Sequence, residues 1–335
     1  MGVKSVLVVR CGALGDLVYA TSVIDALKLE FGEDTIIDFV CTPGSGTLFK
    51  NDPRVRKVFP LKHKKIPILF SQDKKRVIQV SKEHPYDLLI NFETGKQFKG
   101  LVTKIVSKQK IGAFFNTLHL IPCNNRAEGI KNYLLPVVSK ENIELSVPKI
   151  SIENVDSIKK KFMLHDRYIV IAPSNSHIKK KGINYRAWEQ KSWKILADEL
   201  SKHLQVVFVG AKGEEFFFED FKPYNSNTIS LVGQNSLSEL STIIAHANAV
   251  VCTDSAIGHI SAAVNTPVFV LMGPNDPVMD SPYQTAHNKV HVISLHLPCS
   301  PCYKTDTMKR CKDNICMKQI TPTMVFETIS SAAIL

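Results

Sequence analysis

Three stretches of this chain put flexible or acidic residues where a strand gives way to a helix, a place where backbone amides and carboxylates can meet a ligand. The first is Arg10-Cys11-Gly12-Ala13-Leu14-Gly15-Asp16, which follows the apolar run after Ser5. Gly12 and Gly15 permit a sharp turn and a close approach, and Asp16 at the helix start is suited to general-base work or, more plainly, to N-capping. The spacing is not G-x-G-x-x-G, so a dinucleotide oxidoreductase loses its main support. In the second, Val250-Val-Cys-Thr-Asp254-Ser255-Ala-Ile-Gly258-His259, the amides of a helix beginning near Ser255 would suit a diphosphate. A capped turn with Asp254 or Ser255 as cap and His259 packed on the sheet accounts for it equally well. In the third, Glu214 and Glu215 follow the strand candidate Val206–Gly210. A carboxylate there can take two hydrogen bonds from a ribose, although a first-turn glutamate that complements a helix dipole is the plainer reading.

Eight cysteines are present. Cys11, Cys41, Cys123 and Cys252 are scattered and read as reduced thiols. Cys299, Cys302, Cys311 and Cys316 instead spell C-x2-C-x8-C-x4-C, two close pairs able to wrap a tetrahedral ion. Lys304, Lys309, Arg310 and Lys312 are expected to lower the thiol pKa values and favour thiolates. The expectation is a structural zinc or iron knuckle, remote from the chemical step, that pins the tail to the second domain; a disulfide pair, disfavoured in a reducing compartment, and four unligated thiols are the alternatives.

The elements that must hold these residues follow from periodicity. Short β-branched runs alternate with helical stretches, the pattern of βαβ units and parallel sheets. Strands are expected at Ser5–Arg10, Thr35–Val40, Val55–Phe59, Tyr86–Asn91 and Lys110–Gly112, then at Tyr168–Ala172, Val206–Gly210, Thr228–Leu231, Val250–Cys252 and Pro267–Met272. Helices are expected at Asp16–Glu30, Trp188–His203, Leu237–His246 and Ser255–Val264, with a terminal helix from Thr321. The lysine-rich segment Ser151–Phe162 reads as a linker or bridging helix. The reading is α/β, with two Rossmann-like doubly wound domains facing a cleft, residues 1–155 and 156–335, the second carrying the cysteine-rich knuckle 299–316 and the terminal helix.

A chain of 335 residues has room for two such cores, and 44% hydrophobic with 22% charged residues is an ordinary globular composition. The apolar run near the N-terminus is too short for a signal h-region or a membrane span, so a cytoplasmic protein is expected. A net charge of +11, with clusters at Lys62-His63-Lys64-Lys65, Lys74-Lys75-Arg76 and Lys179-Lys180-Lys181, favours an anionic partner.

Four ordered blocks resemble the heptosyltransferases of lipopolysaccharide core biosynthesis, a family of GT-B architecture. They are Gly15-Asp16; Pro173-Ser174-Asn175 with Arg186-Ala187-Trp188 and Trp193; Gly210 with Glu214; and Asp254-Ser255-Ala256-Ile257-Gly258-His259 running on to Gly273-Pro274-Asn275-Asp276-Pro277. The resemblance implies that residues 1–155 bind the acceptor and residues 156–335 the nucleotide sugar. It implies Asp16 as the base, Ser174 and Asn175 as phosphate contacts and Glu214 on the ribose. Asp254, Ser255, Gly258 and His259 would hold the diphosphate and donor sugar. Family members usually carry lysine where this chain has Arg186, and Lys179, Lys180 and Lys181 stand upstream in an apparent insertion. The leaving diphosphate would be neutralised by Arg186 or by one of Lys179, Lys180 and Lys181, with Arg186 taken as the catalytic cation and Lys181 as a donor contact. Gly15, Lys96 and Lys99 are candidate acceptor contacts.

The expected enzyme is an inverting glycosyltransferase that moves a sugar from a nucleotide-diphosphate donor to an acidic glycolipid acceptor; the resemblance implies ADP-heptose as that donor and a lipopolysaccharide core as the acceptor, with other nucleotide sugars left open. It would be cytoplasmic and peripheral at the inner face of the inner membrane. Because no Asp-x-Asp pair occurs in the sequence, no metal cofactor is expected in catalysis. Two rivals share parts of this evidence. One is a sugar-nucleotide epimerase or hydrolase of GT-B-like fold, and the other a non-catalytic zinc-knuckle protein binding nucleic acid, which the strand-end motifs disfavour.

Overall fold

The alternating pattern is realised as two parallel sheets, each in its own compact unit, Met1–Ser151 and Ile152–Leu335. The computed structural model describes residues 2–116 and 121–335. Among them, the first unit holds β1 (Ser5–Val9), β2 (Ile36–Cys41), β3 (Lys57–Pro60), β4 (Tyr86–Asn91) and β5 (Ser107–Gly112), in the order β3-β2-β1-β4-β5. The second holds β6 (Tyr168–Ala172), β7 (Gln205–Phe208), β8 (Thr228–Ser230), β9 (Ala249–Thr253), β10 (Val268–Leu271) and β11 (Val290–Ile293), in the order β11-β10-β9-β6-β7-β8. The central strands are continuous apolar runs because helices cover both faces: Val6–Val9 and Ile169–Ile171 are fully buried.

In each sheet the direction of strand progression reverses beside the first strand, between β1 and β4 and between β6 and β9. At such a reversal the two connecting segments leave on opposite faces and open a crevice at the carboxyl ends of the strands. The first and second candidate motifs follow β1 and β9, which border these reversals, and the third follows β7.

One expected helix, Asp16–Glu30, is two helices, Leu14–Ala20 and Ser22–Phe31. The break falls where two hydroxyls bond back to the preceding turn, Thr21 to the Val18 carbonyl at 2.7 Å and Ser22 to that of Tyr19 at 2.8 Å. Such local bonds compete with the helix ladder. Ser151–Phe162 contains the helix Val155–Phe162, capped by Asn154, and almost all of it lies in the second unit. The terminal helix Pro322–Ser331 starts as its sequence requires, with Thr321 accepting from the Met324 amide and proline in the first turn. Among the described residues no helix is long and apolar enough to cross a membrane.

Candidate active site

In the first unit β1 delivers Arg10, Gly12 and Asp16 to the strand reversal. Asp16 is not the N-cap. That position is Ala13, and Asp16, three residues on, reaches back with Oδ2 to accept the Ala13 amide at 3.0 Å. Its other oxygen pairs with Arg10 at 3.0 Å, and about a third of the side chain stays exposed. Gly12 is needed here because a β-carbon would sit 2.5 Å from the Asp16 Oδ2 atom. Arg10 also lies 3.6 Å from Glu93, which follows β4 and accepts the Cys11 amide at 2.8 Å. Asn91 fixes that turn, accepting the Glu93 amide and donating to the carbonyls of Glu93 and Ala113. One guanidinium thus links carboxylates from the segments that follow the two strands flanking the reversal. Burial and the Glu93 charge push the Cys11 thiol up to about 12, away from the reactive thiolate form.

Gly15 is buried in the first turn of helix Leu14–Ala20. Lys96 and Lys99 are exposed on helix Lys96–Lys104, which follows Gly95.

In the second unit several of the candidate residues converge. Ser174, just beyond β6, donates to Glu214 at 2.7 Å, and the same Glu214 oxygen accepts the Ala211 amide at 2.9 Å. The buried Asn175 accepts the His177 amide and the Asn184 side chain, both at 3.0 Å, while its own amide nitrogen is buried without a hydrogen-bond partner. Arg186 donates to the Asp254 carboxylate at 3.0 Å, to the Asp254 carbonyl at 3.3 Å and to the Ser176 hydroxyl at 2.8 Å. It therefore joins the segments after β6 and β9. Trp188, beside it in sequence, is buried, bonds the Ile320 carbonyl and meets Trp193 edge to face, so the tryptophans of this block anchor the arginine's segment to the core.

Ser255 is the N-cap of helix Ala256–Ala263 but makes no side-chain cap bond. Gly258 is packed so closely that a β-carbon would meet Pro282, Cys252 and Val270 at 3.2–3.3 Å. His259 lies in the same first turn, partly exposed. Lys181 is exposed and makes no hydrogen bond or ion pair among the described residues, whereas Lys179 reaches the Lys212 carbonyl.

The four late cysteines line one cavity of about 250 Å³, with Tyr185, Pro274 and Arg310 among its other walls. The expected lowering of thiol pKa does not hold for two of them. Burial and the neighbouring thiols push Cys302 up and take Cys316 to about 11, because the basic residues of the loop are exposed to solvent. Nor does the loop stand apart from Arg186. Tyr303, next to Cys302, lies under the Arg186 guanidinium at 5.4 Å and stacks on His177 with ring centroids 6.1 Å apart. Its hydroxyl is 3.3 Å from His177 Nε2, and the Tyr185 hydroxyl donates to the Cys311 carbonyl at 3.0 Å. Burial, with Arg186, Lys180 and Lys304 nearby, holds the His177 imidazole below its usual range, against a smaller opposing effect of Asp254.

Arg10, Glu93, His177 and Tyr303 are the site residues that sequence reasoning passed over. For Arg10 a signal existed, a cation closing an apolar strand just before a glycine. For the other three, proximity is created only by the fold.

Residues 138–312 match the family described as glycosyltransferase family 9 (heptosyltransferase). Lipopolysaccharide heptosyltransferase 3 of Escherichia coli is 24% identical over 299 residues, which take in 80% of this chain and 83% of that protein. Among solved structures, the E. coli ADP-heptose LPS heptosyltransferase II shares the fold with a TM-score of 0.75 at 18% identity, covering 98% of each chain. The iron-containing dodecameric glycosyltransferase TibC of enterotoxigenic E. coli H10407 gives 0.57 at 16% identity, covering 99% of this chain and 76% of that one.

Proposed function

This chain belongs to glycosyltransferase family 9, the heptosyltransferases, and on that premise we propose that it moves heptose from ADP-heptose onto an acidic lipopolysaccharide-core acceptor, inverting the anomeric centre. Asp16 takes the proton of the acceptor hydroxyl, and the freed oxygen attacks the anomeric carbon from the face opposite the diphosphate. Arg186 and the amides at the start of helix Ala256–Ala263 meet the charge that builds on the departing ADP. Ser174 and Asn175 contact phosphate, Glu214 holds the ribose, and Asp254, Ser255, Gly258 and His259 shape the diphosphate and sugar pocket. Lys181 adds a mobile positive charge to the donor, and Gly15, Lys96 and Lys99 serve the acceptor.

The observation that carries this reading is the Arg186–Asp254–Ser176 cluster beside Ser174–Glu214, at the carboxyl ends of β6, β7 and β9. It combines a fixed cation, helix amides and a ribose-type carboxylate, which together suit a nucleoside diphosphate better than a monophosphate or a neutral sugar. With leaving-group charge met this way, the transfer step requires no metal. The enzyme works in the cytoplasm, at the inner face of the inner membrane where its lipid-linked acceptor resides.

The cysteine loop is where a zinc or iron ion would sit, because its four cysteines line one cavity, although among the described residues no three His, Cys, Asp or Glu side chains are grouped closely enough to hold an ion as they stand. Cys299, Cys302, Cys311 and Cys316 would hold the ion, which would supply a structural cross-link. Tyr303 and Tyr185 connect that loop to the Arg186 segment.

The test offers the purified protein a panel of nucleotide sugars with a heptose-deficient core oligosaccharide, and reads products by mass spectrometry and anomeric configuration by NMR. Mass gain by one heptose with ADP-heptose, and inversion, are expected. Acceptor-independent consumption of the donor would favour an epimerase or hydrolase instead.

A further inference from the structure

From the end of β3 into helix Gln72–Glu83 the chain runs Lys62-His63-Lys64-Lys65-Ile66-Pro67-Ile68-Leu69-Phe70-Ser71-Gln72-Asp73-Lys74-Lys75-Arg76. Its middle is a single 3-10 turn, Ile68–Phe70, closed by bonds from Phe70 to the Pro67 carbonyl and from Ser71 to that of Ile68. Ser71 then caps the following helix. Ile68 packs inward against the core of the first unit, while Leu69 and Phe70 are 69% and 74% exposed.

The turn is held from beneath. Lys74 is buried, yet its ammonium is satisfied by three carbonyls, those of Lys64 and Ile66 at 2.8 Å each and that of Gln97 at 3.4 Å. This ties the base of the loop to helix Lys96–Lys104. Two adjacent large apolar side chains are thus presented to solvent from a braced turn.

A single exposed leucine means little, but this pair stands in a field of one sign. Lys62, Lys65, Lys75 and Arg76, all within seven residues of it along the chain, are exposed, and so are Lys96 and Lys99 on the helix that Lys74 ties to the loop. The one acid in the segment, Asp73, is engaged by the Lys62 amide.

We propose that this face docks on an anionic lipid bilayer, with Leu69 and Phe70 entering the headgroup boundary and the surrounding basic side chains meeting lipid phosphates. Apolar side chains on a basic surface are the chemistry of interfacial membrane binding. A second copy of this chain would bring the same positive charge to the contact, which opposes self-association there. The inference deepens the glycolipid-acceptor reading by naming the surface that meets the bilayer, but it is tested without any substrate.

The full chain is floated with vesicles of phosphatidylglycerol and phosphatidylcholine, and separately with pure phosphatidylcholine vesicles, at low and high salt. Binding to the anionic vesicles, weakened by salt, is expected. Leu69→Glu with Phe70→Glu should lower it at least about tenfold, and neutralising Lys65, Lys75 and Arg76 should lower it by about fivefold per charge. Because these side chains are at the surface, melting temperatures should be unchanged, and Leu69→Ser with Phe70→Ser should act in the same direction. No binding by the wild type, equal binding to neutral vesicles, or full binding by the Leu69/Phe70 variants would overturn the proposal. So would a change of oligomeric state in those variants with vesicle binding intact. Transfer to a water-soluble acceptor should not change in the Leu69/Phe70 variants. Its failure in the wild type would count against the heptosyl-transfer reading and leave the docking surface standing.

Discussion

Asp16 has both oxygens engaged, one by Arg10 and one by the Ala13 amide. A carboxylate offers about four lone-pair directions, so each oxygen can still receive an acceptor hydroxyl, and the two bonds fix where it does so. Asp16→Asn keeps an oxygen for the Ala13 amide but cannot take the proton. We expect turnover to fall by about 10²–10⁴-fold with ADP affinity unchanged, measured by steady-state kinetics and calorimetry. Turnover within a few-fold of wild type would remove Asp16 from the mechanism. His177 gives a pH signature. Its folded-state pKa is depressed, so it is neutral at pH 7, and protonation as the pH falls must proceed against Arg186, Lys180 and Lys304. Its contribution to stability is therefore present above the unfolded value of about 6.5 and is lost as pH falls through the lower folded value. A bound diphosphate brings negative charge to the same cluster and should raise that pKa, so ADP binding should become coupled to proton uptake as the pH falls toward it. NMR titration of the imidazole should show a midpoint below that of an exposed histidine, moving up on addition of ADP. A midpoint indifferent to ADP would place the diphosphate elsewhere.

The cysteine loop is the element whose role changed most between sequence and structure. Its spacing announces a metal knuckle, but nothing in the spacing shows that Tyr303 supports Arg186 and His177. Protein purified without chelator should carry about one equivalent of zinc or iron per chain, the stoichiometry of a four-thiolate site. No metal, with all four thiols free to react in the folded protein, would refute that. Tyr303→Ala should both weaken ADP binding and slow turnover at saturating donor, because it loosens the cation that holds the diphosphate and meets its charge, with the melting temperature little changed. ADP affinity and turnover both at wild-type values would remove Tyr303 from the support of Arg186. The elements that could be read from sequence were those with strong local patterns. β4 and β6 have the expected limits because each is built around a buried apolar run, Leu88, Leu89 and Ile90 in the one and Tyr168–Ala172 in the other. β11 was not expected, since Val290–Ile293 is a short, half-exposed edge strand that gains its pairing only from β10. The break at Thr21 was missed because apolar spacing runs through it, and hydroxyl back-bonding leaves no mark on that spacing.

On the scale of the whole chain, the candidate donor residues are confined to one unit. Ser174, Asn175, Arg186, Glu214, Asp254, Ser255, Gly258 and His259 all belong to Ile152–Leu335. That unit closes its own core, in which Ile169, Val206, Val251 and Phe269 from the sheet meet Leu196, Val325 and Ile329 from flanking helices. The first unit does the same with Leu7, Val40, Leu89, Phe98 and Leu101. Each has a size within the usual domain range of about 50–200 residues. Residues 152–335 produced alone should therefore unfold cooperatively and bind ADP within about tenfold of the full chain, while residues 1–151 should bind none. Both are measurable by calorimetry, and neither fragment should transfer sugar, because the base and the leaving-group cation are then on separate molecules. If the 152–335 fragment unfolds cooperatively yet has lost ADP, the nucleotide needs groups from the first unit, and the proposed division of acceptor and donor between the two units is wrong. If it binds ADP with full affinity, Arg186→Gln in the same fragment isolates the cation: charge-assisted contacts of about 1.5–3 kcal/mol predict a loss of roughly 10- to 150-fold, with no contribution from Asp16 or the acceptor.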